Sequence, residues 1–144
     1  MENLRFALSD ELTPDARAIR TEVFMREQGY VDEFDELDAR ARHLVLYVDG
    51  RAAGCCRFFP GEAGEWVLGR VAVLKNMRRR GLADRIVREA VARMAELGAA
   101  RVHLGAQVYA RSLYEKCGFA VCGPQYLDEG NPHLPMELII RKHI

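Results

Sequence analysis

The chain has 144 residues, 49% of them hydrophobic and 29% charged, and its 21 basic side chains balance 21 acidic ones. This length predicts one domain over residues 1–144 with a sizeable core, and zero net charge argues against a general nucleic-acid binder, which would be basic overall. No apolar stretch approaches a membrane span and the first residues lack a signal-peptide core, so a cytoplasmic domain without membrane association is expected.

Leu4 to Leu8 reads as a short first strand. Thr13-Pro14-Asp15 starts a helix, with a capping hydroxyl, Pro at the first helical position and an acid in the first turn. That helix carries Ala16, Ile19, Val23 and Phe24 on one side and runs to about Gln28, before Gly29. Gly29 to Arg42 is acidic and irregular, and predicts a solvated loop whose carboxylates together attract a cationic amine. His43 to Val48 and Arg51 to Phe59 flank Asp49-Gly50, a preferred two-residue hairpin turn. Pro60-Gly61 to Gly64 makes a second turn.

The near-continuous apolar run from Trp66 to Leu74 predicts a strand buried on both faces. Helical spacing follows, with Leu82, Ile86, Ala90, Met94 and Leu97 about one turn apart, and Gly98 stops it. Arg101 to Ala106 alternates as a strand, parallel to its predecessor because a whole helix separates them. A second helix runs from about Val108 to Lys116, before Gly118. Phe119 to Gly123 and Leu134 to Arg141 are the last two strands, joined by a connection from Pro124 to Pro135. Cys55, Cys56, Cys117 and Cys122 show no two-residue spacing, and adjacent Cys55 and Cys56 point to opposite faces of a strand. Buried reduced thiols, with no metal and no disulfide, are expected.

The chemistry concentrates at the turn between the buried strand and the long helix, Lys75-Asn76-Met77-Arg78-Arg79-Arg80-Gly81-Leu82-Ala83. The first amides of a helix lack internal partners and the helix dipole adds positive charge, so this turn is an anion site. Gly81 admits a phosphate close to the backbone, Ala83 keeps the next turn slim, and Arg78, Arg79 and Arg80 add forked donors. A diphosphate fits. No Gly-Lys-Ser/Thr follows and two of the three dinucleotide-loop glycines are missing, so neither of those phosphate loops is present.

The spacing Arg78-x-x-Gly81-x-Ala83 after a buried strand resembles the acetyl-CoA signature of the GNAT (GCN5-related) N-acetyltransferases. A second stretch in the right order, Gln107-x-x-Ala110-x-x-Leu113-Tyr114-Glu115-Lys116-x-Gly118-Phe119, resembles the segment after that family's fifth strand. Gln107 stands where Asn is usual there, and Leu113 where Phe is usual. Val23-Phe24-x-x-Glu27-Gln28, the acidic segment closing on His43, and Glu129-Gly130-x-x-His133 are similar to the ElaA-like subgroup, so the resemblance covers nearly the whole chain.

The resemblance implies an α/β fold, a bent mixed sheet with helices on both faces. In it the strand around Val71, Ala72 and Val73 splays from Arg101–Ala106 and admits the pantetheine arm of acetyl-CoA. Amides of Val71 and Val73 would bond that arm, the amides of Arg79, Arg80, Gly81, Leu82, Ala83 and Asp84 the diphosphate, with Arg78 and Gln107 contributing side chains. The implied reaction is acetyl transfer to a primary amine of a small molecule or peptide, with Tyr114 protonating the departing CoA thiolate. Candidates for the proton acceptor are Glu27, Asp32, Glu33 and His133. Gln28 and Arg70 join the acceptor side, Arg70 because a charge inside an apolar run needs a partner or an open cleft. A homodimer fits the family. The alternative is a non-catalytic acyl-CoA-binding module that serves as a sensor or partner-binding subunit.

Overall fold

The computed structural model describes residues 2–140. Its strands are β1 (Leu4–Ser9), β2 (Arg42–Val48), β3 (Arg51–Pro60), β4 (Glu65–Val73), β5 (Arg101–Gln107), β6 (Ala120–Val121), β7 (Tyr126–Asp128) and β8 (Asn131–Ile139). Its α-helices are α1 (Pro14–Arg20), α2 (Leu82–Glu96) and α3 (Arg111–Lys116). One mixed sheet runs in the order β1-β2-β3-β4-β5-β8-β6, with β7 also on β8, and the β4–β5 pair is parallel. Asp49 and Gly50 both take positive φ, 50° and 82°, as the tight β2–β3 hairpin demands.

Strand alternation divides the core between the two faces. Cys55 and Ala72 pack with Ala16, Ile19, Val23 and Phe24 under α1, whereas Cys56, Leu44, Leu46 and Val73 pack with Leu82, Ile86 and Ala90 of α2. The helix leans close: a Cβ on Gly54 would lie 2.7 Å from both the Ala72 carbonyl and the Ile86 Cδ1. All four cysteines are free thiols, but only Cys55 and Cys56 are buried; Cys122 is exposed beyond the short β6 strand.

Three segments differ from their sequence expectation. The first helix is α-helical only to Arg20 and then widens into π-type turns from Thr21 to Glu27, where the Gln28 amide reaches back to the Val23 carbonyl. The Pro124–Pro135 connection is instead mostly the β7–β8 hairpin, turned by Glu129 and Gly130 at φ 46° and 81°. β8 therefore begins at Asn131, and Arg141, the expected end of the last strand, lies outside the described residues. The acidic segment is not a solvated loop, because Glu33 and Asp38 are buried and Asp35 and Asp38 form a reciprocal capping box around the turn Glu36–Ala39.

Two irregularities in β4 create the site. Between the pairs Cys55↔Ala72 and Arg57↔Gly69, β4 has two residues, Arg70 and Val71, against the single Cys56 of β3. This is a β-bulge, and it holds Arg70 at φ 55°. On its other edge β4 pairs with β5 only from Glu65 to Val67, opposite Arg101 to His103. Beyond those residues no ladder joins the two strands.

Candidate active site

Two cavities open where β4 and β5 part. The first, about 550 Å³, is lined by Val67 to Val71 of β4, by Leu104, Gly105 and Gln107 of β5, and by Tyr114 and His133. The second, about 610 Å³, is lined by Val73, Arg78, Arg79, Gly81 to Asp84, Arg88 and Lys116. Val71 and Val73 thus belong to different cavities along one strand, which is the path expected for an extended ligand.

In the second cavity Gly81 caps α2 in the left-handed region, φ 72°, two residues after Arg79 at 65°. A Cβ on Gly81 would meet nothing within 4 Å, so glycine is required here by its backbone angle rather than by crowding in the empty cradle. The Leu74 amide donates to the Ala53 carbonyl of β3 at 2.9 Å. Alternation therefore turns the backbone of Val73 the other way, toward the gap, where its carbonyl accepts Arg78 Nε at 2.9 Å. Asp84 accepts from Arg88 and from the Cys117 thiol, which leaves the first α2 amides facing outward.

Not every expected cofactor residue lines this space. Ala72 is buried under α1 because it alternates with Val71 and Val73, and Arg80 turns to Glu2 at 2.8 Å. Arg78 grips Glu27 through both terminal guanidinium nitrogens, at 2.9 and 2.8 Å. Gln107 lies in the first cavity and donates to Gln28 Oε1 at 2.7 Å, while Gln28 Nε2 donates to Tyr109 Oη at 3.1 Å. These amides tie the end of β5 to the end of the π-type turns.

The expected proton acceptors separate sharply. Glu27 is committed to Arg78. Glu33 is 3% exposed and bonds Arg20 at 2.7 Å and Arg70 at 3.0 Å. Burial pushes its carboxyl up, against the pull of those two guanidiniums. Asp32 is exposed at the rim. His133 is 7% exposed, stacked on Tyr126, and its Nδ1 lies 2.9 Å from the Asn131 carbonyl. A carbonyl only accepts, so Nδ1 carries the proton of the neutral ring and Nε2 keeps a free lone pair at the cavity wall. Tyr114 is packed edge-on to Phe119, and burial pushes its phenol well above the ordinary value, so it stays protonated at neutral pH.

Arg70 answers the question its sequence position raised. It is a bulge residue whose guanidinium reaches Glu33 and Asp35, and Glu33 and Asp38 also bond Arg20, while Asp35 and Asp38 bond Arg57. Three carboxylates and three guanidiniums thus neutralise one another beneath the first cavity. Burial opposes ionisation of Asp38, yet Arg20 and Arg57 outweigh it and hold that carboxyl well below its usual range. Sequence reading missed Arg20, although its place between Ile19 and Val23 on the sheet-facing side of α1 marks a buried charge that needs partners. It also missed Tyr30, Tyr109, Tyr126 and Asp128, which line the first cavity from segments read as helix, loop or connection.

His103, Cys122 and Glu137 place ligand-type atoms within 4.8 Å of one another on the sheet beside this cavity. Arg101 lies 3.8 Å from Glu137, and Glu65 lies 3.2 Å from His103 Nε2 but makes no hydrogen bond with it. No helix among the described residues is long and apolar enough to cross a membrane.

Residues 10–140 match the model of the acetyltransferase (GNAT) domain. The chain is 35% identical over 133 residues to the uncharacterized N-acetyltransferase YjcF of Bacillus subtilis, covering 90% of this chain and 94% of that protein. An acyl-CoA N-acyltransferase from Pseudomonas aeruginosa superposes with a TM-score of 0.82 at 28% identity, over 94% of this chain and 99% of that one. Escherichia coli ElaA shares the fold, with a TM-score of 0.81 at 22% identity over 96% and 99% of the two chains. So does a Bacillus subtilis acetyltransferase solved in complex with CoA, with a TM-score of 0.75 at 18% identity over 96% and 100%. With its signature turn, its parted strands and almost its whole length inside that domain, the chain belongs to the GNAT family of acetyltransferases.

Proposed function

We propose that this protein transfers an acetyl group from acetyl-CoA to a primary amine by direct attack. The observation that carries the reading is the pair of cavities joined along β4, one walled by a helix N-terminus, the other by His133 and Tyr114. The diphosphate lies on the outward amides of residues 79–84, and the pantetheine arm runs along the free edge at Val71 and Val73. The acceptor enters through the first cavity.

An amine with a lysine-like pKa near 10.4 costs about 4–5 kcal/mol to present in neutral form at neutral pH. His133 Nε2 takes that proton, and the freed lone pair of the neutral nitrogen then attacks the thioester carbonyl. Negative charge then develops on the carbonyl oxygen and meets the β4 amide at Val71, which lines the same cavity as His133 and Tyr114. Collapse breaks the carbon–sulfur bond and Tyr114 gives its proton to the departing thiolate, while the second proton of the nitrogen passes through solvent to restore the phenol. Products are the acetylated amine and CoA. Assembly into a homodimer rests on family resemblance and is read by sedimentation.

Calorimetric titration with acetyl-CoA tests the first half of this reading, beside Gly81→Val, whose β-branched side chain opposes a φ of 72°. Binding by the wild type and its loss in a folded variant is the expected result, followed by CoA release with an amine panel. A folded wild type that binds no acetyl-CoA sinks the acyltransfer reading.

A further inference from the structure

The charge of the first cavity is unbalanced. Glu33 and Asp35 in its wall are matched by Arg57 and Arg70. Asp32, Asp128 and Glu129 also line it, and among the described residues none of these three has a cationic partner. Glu129 accepts the Val31 and Asp32 amides at 3.1 and 3.4 Å, which ties the β7–β8 turn to the segment after the π-type turns. That link brings Asp32 and Asp128 to one rim. The Tyr30 hydroxyl is buried at this cavity without a hydrogen-bond partner. Asp128 lines the same cavity as Tyr30, and after burial itself its charge is the largest influence raising the Tyr30 phenol.

His133 marks the reacting end. It is more than nine-tenths buried, with Nε2 unpartnered toward the same space. In the hairpin register Asp128 faces Asn131, two residues from His133, so Asp128 and His133 are diagonal cross-strand neighbours about 7–8 Å apart. The cavity therefore offers a proton acceptor at one end and, about 7–8 Å away, uncompensated negative charge beside an aromatic face.

Resting on the acetyl-transfer reading, we propose that the acceptor is a diamine-type molecule. One amine reacts at His133, and a second cationic group is held at the rim by Asp32 and Asp128 against Tyr30. A monoamine of the same length leaves that charge unpaired.

The test compares putrescine with n-butylamine, which matches its carbon chain and lacks the second amine, as acceptors in a CoA-release assay on the full chain. The expected kcat/KM ratio is about tenfold in favour of putrescine at low salt, shrinking as salt screens exposed carboxylates. The double variant Asp32→Asn, Asp128→Asn should bring the ratio to within about twofold. Equal kcat/KM for the two amines, or a ratio the variant leaves unchanged, overturns the proposal. Where neither amine turns over although acetyl-CoA binds, the transfer reading fails, and titration of putrescine into the CoA-loaded protein decides the rim. Binding that the double variant abolishes supports it, and no binding overturns it.

Discussion

Arg78 and Glu27 meet through two parallel hydrogen bonds, 2.9 and 2.8 Å long, between the turn before α2 and the last π-type turn after α1. The same guanidinium spans to the Val73 carbonyl, so one side chain joins the two walls beside the β4 gap. Glu27 is then a fastening for Arg78, not a proton acceptor. Glu27→Gln should lower kcat by less than about threefold and cost about 0.5–1 kcal/mol of stability, since the pair is partly exposed. A base would show a loss of about 10²-fold or more. Steady-state kinetics beside thermal melting separates the two roles.

His133→Gln keeps a polar side chain of similar reach and removes the free ring nitrogen. At neutral pH kcat/KM for the amine should fall by about 10²- to 10³-fold, with acetyl-CoA affinity unchanged. The deficit should narrow as pH climbs toward the acceptor's own pKa, near 10.4, because the amine then loses its proton to solvent. A pH profile of wild type and variant on one amine is the measurement. A deficit of constant size across the range would place His133 in packing alone.

Tyr114→Phe should lower kcat by about 10²-fold, because a thiolate still leaves unaided, though more slowly. The hydroxyl is the only atom removed, and the ring contact with Phe119 is kept, so melting temperature and calorimetric CoA affinity should hold. Unchanged turnover would reduce Tyr114 to a packed helix residue.

The parts of this molecule that were legible in its sequence are those whose cause is local. Gly81 and the three arginines before it announce an anion turn within a few residues, and the apolar run into β4 announces a central strand. The β7–β8 hairpin carries its own marker, Gly130 beside Glu129, but Pro132 is unfavourable inside a strand. Pro132 sits opposite Leu127 near the hairpin end, where a missing amide is tolerated. The bulge at Arg70 was not legible, because it depends on Glu33 and Asp35, which lie more than thirty residues away. For the same reason the acid-rich segment looked like bait for a cationic ligand. Its central carboxylates serve Arg20, Arg57 and Arg70 instead, and among the described residues the carboxylates of the first cavity without a cationic partner are Asp32, Asp128 and Glu129.

Arg20 tests how far the site depends on that buried network. Arg20→Met keeps the aliphatic bulk between Ile19 and Val23 but leaves Glu33 and Asp38 short of one guanidinium, and removing one partner from a buried set costs about 3–5 kcal/mol. Urea unfolding at neutral pH reads that loss. The acid side reads the cause. Asp38 has its folded pKa depressed, so its contribution is present above the unfolded value near 3.9 and is lost as pH falls toward the folded one. Glu33, raised by burial, works in the opposite sense. The wild type should therefore lose stability below about pH 4, and Arg20→Met should lose less over the same interval, because Asp38 then has less depression to give up. Parallel acid limbs for the two proteins would show that Arg57 alone holds Asp38 ionised, and would leave Arg20 as packing for Phe34, over whose ring it lies at 4.7 Å.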